Sequence, residues 1–128
     1  MIIIARSNNP SDAQFSMTWP WPEGEAWRVF GTHGYGSDHG IWSSLDMQHG
    51  NSSCDWIHNR SCTEETPLVY SMFTGIVSFV TKCQVSIVHS TGWAIRYYHM
   101  DNITVRTKQT VQKNEPIGRY AGNYRTAL

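Results

Sequence analysis

Charge is scarce in this chain. Only 16% of its 128 residues are Asp, Glu, Lys or Arg, against roughly 25% in an average soluble domain. Ten acidic and ten basic side chains cancel to a formal net charge of zero. That balance argues against a nucleic-acid binder or a polybasic membrane-surface protein, both of which need an excess of Lys and Arg. Long apolar runs are missing as well. No segment approaches the roughly twenty apolar residues that cross a bilayer. The opening Met1-Ile2-Ile3-Ile4-Ala5-Arg6 is too short for the core of a signal peptide. Helical periodicity is the third absence, since no stretch of ten or more residues carries an apolar stripe at 3.6 spacing. Cysteine is sparse and odd in number: Cys54, Cys62 and Cys83. An oxidising compartment would leave one thiol without an intramolecular partner, and the alternatives are an intermolecular bridge or a reducing compartment with three ordinary thiols.

What the chain does have is length enough for one domain with a real core. It also has a change of texture near its middle. Residues 1–66 are punctuated by Asn8-Asn9-Pro10, Trp19-Pro20-Trp21-Pro22 and a series of glycines, and read as loop-rich. From Pro67 onward β-branched and aromatic residues form short runs: Leu68–Phe73, Ile76–Val80, Gln84–His89, Trp93–His99 and Ile103–Val105. Ser90-Thr91-Gly92 joins two of these as a hairpin, with Gly92 where a positive φ is needed. A further turn, with Asn114 suited to the left-handed conformation, leads to a strand ending near Tyr120. The expected class is all-β, or β with short helical turns.

The charges that exist are unevenly placed. Residues 1–64 hold seven acidic and three basic side chains plus four of the six His, so the first half is the better place for a cation. His33, Asp38, His39, Asp46 and His49 cluster there among glycines, and imidazole with carboxylate suits Zn²⁺; a solvated polar loop has the same composition. In the second half, strand alternation sets Trp93, Ile95, Tyr97 and His99 on one face and Ala94, Arg96 and Tyr98 on the other. Six Trp invite a carbohydrate-stacking reading, but their spacing is irregular and Trp is more often a large buried apolar group.

The run CQVSIVHSTGWAIRYYHMDNI, residues 83–103, resembles the hairpin of the lysostaphin-type zinc metalloendopeptidases, in their staphylolysin and β-lytic branch. Gly31-Thr32-His33-Gly34, Ser43-Ser44-Leu45-Asp46, Thr74-Gly75-Ile76-Val77 and Ile117–Asn123 match further family segments in order, so the resemblance covers about Trp19 to Leu128. It implies the antiparallel sheet of that family, a duplicated hybrid motif with a loop-rich N-terminal half, as an incomplete metallopeptidase-like domain over residues 19–128 preceded by an irregular N-terminal segment, residues 1–18. It implies His33 and Asp46 as zinc ligands and His99 as the catalytic histidine beside the metal. Tyr98 or Tyr97 would line the substrate groove. The implied substrates are peptides, above all the glycine-rich cross-bridges of peptidoglycan, and the implied setting is a secreted monomer.

Two family features have no counterpart here. The family takes its third zinc ligand from a later His-x-His pair, and no His follows His99. The branch also bridges the cysteine that opens the hairpin to a later one, which implies that Cys83 is the odd cysteine and leaves Cys54 and Cys62 to each other. The resemblance therefore implies a C-terminally incomplete domain that holds zinc weakly and has negligible peptidase activity by itself. The alternative from another class is a non-catalytic module binding peptidoglycan or a protein on the same fold. A lipoyl-like carrier, suggested by Val111–Gly118, is weakest, because Ser90-Thr91-Gly92 offers no lysine at the hairpin tip.

Overall fold

Short β-branched and aromatic runs alternate with turn residues through the second half of the chain. In the computed structural model, which describes residues 2–7, 15–34, 43–49 and 66–121, every expected run but one contributes a strand. The strands are β1 (Ile2–Ser7), β2 (Trp27–Gly34), β3 (Ser43–His49), β4 (Leu68–Tyr70), β5 (Gly75–Val80), β6 (Gln84–Val88), β7 (Trp93–Tyr98), β8 (Met100–Asp101), β9 (Thr110–Val111) and β10 (Pro116–Tyr120). No helix occurs among the described residues, and every ladder is antiparallel. The all-β class expected from the sequence is the observed one.

Seven strands form one sheet in the order β2-β3-β1-β7-β6-β5-β9, and β4-β10-β8 form a second, smaller one. The β6–β7 hairpin closes as its glycine requires. Gly92 has φ 91°, its N–H donates to the His89 carbonyl at 2.9 Å, and the His89 N–H donates to the Trp93 carbonyl at 2.7 Å. Asn114 takes φ 67°, the left-handed turn conformation anticipated for it.

Three expectations are corrected. Residues 103–105 are not a strand; the pairing in that region falls to β8 before them and β9 after. The Leu68–Phe73 run ends as a strand at Tyr70, because Ser71 turns back to hydrogen-bond its own neighbourhood, its hydroxyl donating to the Phe73 carbonyl at 2.6 Å. The N-terminal segment is not irregular throughout, since Ile2–Ser7 enters the large sheet between β3 and β7. Its Ile-Ile-Ile start is β-branched, but a strand flanked by two others is buried by its partners, and that environment is invisible in a six-residue window.

The core lies between the inner face of the large sheet and the small one. Ile3, Val77, Val85, Ile87, Ile95 and Tyr97 from the former meet Val69, Met100, Ile117 and Tyr120 from the latter in one apolar cluster, with Phe73 packed among them. Val85, Ile87, Val77 and Tyr97 have no exposed surface. Gly75 opens β5 where the chain passes closest to its neighbour: a Cβ there would stand 2.5 Å from the Val88 carbonyl oxygen and 2.9 Å from Ile87 Cγ2.

Candidate metal centre and active-site face

The strand registers align the sequence-predicted site residues in rows across the large sheet. Residues directly opposite in an antiparallel ladder share a face. Gly31 pairs with Asp46, Asp46 with Ile2, Ile2 with Tyr98 and Tyr98 with Gln84, which makes one transverse row. The next row of the same parity runs His33, Ser44, Ile4, Arg96, Ser86 and Phe79. Positions 33 and 46 are therefore diagonal neighbours on adjacent strands, with equal parity. Position 98 shares their parity, two strands from position 46 and three from position 33, about 10 Å and about 15 Å at the usual strand spacing. The row between them, Thr32, Leu45, Ile3, Tyr97 and Val85, belongs to the inner face.

That alternation separates the two tyrosines. Tyr97 has no exposed surface, and its hydroxyl accepts a hydrogen bond from the Met72 N–H at 2.9 Å. Burial pushes its phenol far above the ordinary tyrosine value, and the hydrogen bonds with Met72 and Ser71 oppose this without reversing it. Tyr97 is thus a core residue, contrary to its expected place along a groove. Tyr98 is half-buried on the other face. There Arg96 Nη1 donates to its hydroxyl at 3.2 Å, and the guanidinium carbon lies 5.5 Å from the centroid of the Phe79 ring. Arg96 and Phe79 were not singled out by sequence. The signal available for Arg96 was its i, i+2 relation to Tyr98; none existed for Phe79, which reaches this row only because a bulge shifts the β5 register between Val77 and Phe79.

His99 follows Tyr98 at the point where the chain leaves the large sheet for the small one. It has φ 58°, in the left-handed region, where histidine is tolerated better than most residues. The next N–H, of Met100, donates to the Cys83 carbonyl at 3.0 Å, and the His99 carbonyl accepts from Ala121 at 2.9 Å. This reversal, held by backbone bonds on both sides, makes the last residue of the hairpin a fixed position. It also takes His99 off the regular alternation that grouped it with Tyr97. His89 serves structure: its ring stacks on Phe15, centroids 4.1 Å apart, and its Nδ1 accepts the Thr91 N–H at 3.1 Å.

Asp38, His39, Cys54 and Cys62 lie outside the described residues. Cys83 is a free, half-buried thiol. Among the described residues no group of three or more His, Cys, Asp or Glu side chains is assembled that could hold a metal ion. The donor types at positions 33 and 46, imidazole and carboxylate on neighbouring strands, fit two of the three protein ligands of an open zinc site.

Comparison with known proteins bears on the family and the fold. The model of peptidase family M23 matches residues 58–127. The chain is 38% identical over 112 residues to protease LasA of Pseudomonas aeruginosa, covering 88% of this chain and 25% of that protein. It is 32% identical over 128 residues to the β-lytic metalloendopeptidase of Achromobacter lyticus, covering 96% of this chain and 32% of that one. Among solved structures it is similar to the M23 metalloprotease pseudoalterin, with a TM-score of 0.73 and 34% identity over 91% of this chain and 62% of the other. The chain thus spans about a quarter to a third of the length of these curated relatives. On sequence and on fold together, it belongs to peptidase family M23, in the company of the staphylolysin and β-lytic branch.

Proposed function

We propose that this chain carries the metal-binding half of a secreted zinc metalloendopeptidase site that acts on glycine-rich peptides such as peptidoglycan cross-bridges. His33 and Asp46 would hold the ion. The reading is supported chiefly by the register that gives positions 33 and 46 equal parity on adjacent strands, in a family M23 chain in which β7 is followed directly by His99. Zn²⁺, when bound, supplies a Lewis acid that polarises the scissile carbonyl and acidifies a water. His99 would hold and return a proton through its imidazole. Tyr98, oriented by Arg96, forms part of the floor against which an extended peptide lies. Glycine is favoured there because it brings no Cβ into a narrow groove.

Two protein donors hold zinc less firmly than three, and the row joining Asp46 to Tyr98 passes through Ile2, which has no metal-binding atom. We therefore expect this chain by itself to bind zinc weakly, to act as a monomer and to cleave little; a non-catalytic peptidoglycan- or protein-binding role on the same fold is the second reading. Calorimetric titration with zinc tests the site. Weak binding that disappears in both His33→Ala and Asp46→Ala supports it, and binding that survives both variants overturns the ligand assignment. Incubating the zinc-loaded chain with pentaglycine tests the activity: cleavage products would refute the expected inactivity.

A further inference from the structure

The segment before β2 builds a feature that the peptidase reading leaves unused. The chain bends at Pro20 and Trp21 within Trp19-Pro20-Trp21-Pro22, which brings residues 19 and 21 to one side. Their indoles stack at 5.2 Å with planes 9° apart, and Trp21 stacks in turn on Trp27 at 5.0 Å and 9°. Trp27 then meets the buried Tyr120 edge-on at 5.8 Å. The result is a ladder of rings rooted in the core and ending in solvent, where Trp19 is 54% exposed. The backbone beneath is tied down: the Thr18 N–H donates to Met72, the Tyr70 N–H to Pro20, and the Glu25 N–H to Pro22 in a turn with Gly24 at φ 88°.

The exposed end of this ladder borders a cleft of about 660 Å³, lined also by Tyr70, Glu23, Glu25 and Asn114. Its polar groups are of both kinds. Glu23 and Glu25 present carboxylate acceptors, and Glu25 Oε1 takes the Trp27 Nε1–H at 3.3 Å. Asn114 Oδ1 is occupied by the Thr18 hydroxyl at 2.9 Å, which turns its amide NH₂ into the available donor. A flat apolar face beside acceptors and a donor suits a ligand that is flat and apolar on one side and hydroxylated at its rim. Near-parallel rings make a platform. They do not make the box of crossed rings that encloses a quaternary ammonium.

We infer that this cleft is a carbohydrate subsite in which a pyranoside ring stacks on Trp19 while Glu23 and Asn114 bond its hydroxyls. It is separate from the metal positions. Trp27 opens β2 and His33 lies six residues further along it, about 20 Å away, and the inference holds whether or not the chain cleaves peptides.

Titrating the full chain with N-acetylchitotetraose and with cellotetraose, followed by tryptophan fluorescence and calorimetry, tests it. At least one sugar should bind saturably and shift the emission. Trp19→Ala should weaken that binding by about tenfold, and Trp19→Phe, which keeps a smaller flat face, by about threefold. Because Trp19 is exposed, both variants should keep the circular dichroism of the parent, which separates lost binding from lost fold. Failure of both sugars to bind, or affinity unchanged in Trp19→Ala, would overturn the inference. So would saturation of the cleft by choline chloride or a proline-rich peptide when neither sugar binds.

Discussion

The two faces of the seven-stranded sheet are made from alternate residues of the same strands, yet they solve opposite problems. On the inner face, Ile3, Tyr97, Val85, Ile87 and Val77 are sealed against the small sheet, and the one polar atom among them, the Tyr97 hydroxyl, is satisfied by a backbone N–H. On the outer face, Tyr98 and Arg96 remain partly open, pair through a side-chain hydrogen bond and share rows with positions 46 and 33. Tyr97 and Tyr98 are chemically identical neighbours. Only the parity of a pleated strand seals one in the core and leaves the other on the outer face.

The sharpest way to break this contrast is to truncate both. Tyr97→Ala should cost about 3–5 kcal/mol of stability, the range for removing a large aromatic from a packed core. Tyr98→Ala should cost less than about 1 kcal/mol, as partly exposed positions usually do. Urea denaturation of the two variants measures both, and equal losses would mean the faces are not distinct.

Gly75→Ala probes how tightly the inner layer is closed. The added carbon would meet backbone at Val88, which cannot swing aside as a side chain can. A loss of about 1–3 kcal/mol is expected, as for other overpacked sites. A variant as stable as the parent would show that β5 and β6 can separate locally without loss.

The smallest effect is a dependence on alkaline pH. Burial raises the Tyr97 phenol's pKa in the folded chain, while an unfolded tyrosine ionises near pH 10. The folded state thus holds its proton more firmly. The stabilisation is fully present below about pH 10 and is lost as the unfolded state ionises above it. Between about pH 9 and about pH 11 the parent should lose about 1.4 kcal/mol more than Tyr97→Phe, which has no proton to release. Parallel losses in the two proteins would show that the phenol is not sealed.

Much of the second half was legible in the sequence, because its physics is local. Gly92 and Asn114 announce positive φ, and Trp93 to Tyr98 alternates in a way that only a strand accommodates. Positions 33 and 46, which we propose as zinc donors, were legible as residue types in sequence order, through resemblance to a family. Their shared parity was not, since it depends on a β2–β3 ladder whose register shifts between Val29 and Gly31. The same limit hid Phe79, which only a bulge delivers to the Arg96 row. It hid the tryptophan ladder too, because Trp27 joins Trp19 and Trp21 across a turn and no fixed spacing describes that.

By itself, the sequence determined an all-β chain of family M23 type, its hairpin, and which residues have metal or proton chemistry at all. Those follow from side-chain identity and from preferences that act over a few bonds. The tertiary structure decided which of two adjacent tyrosines is buried, that Ile2–Ser7 completes the large sheet, and that three scattered indoles become one platform. Each of those depends on register and packing between segments distant in sequence, and burial energy is assigned only when those segments meet.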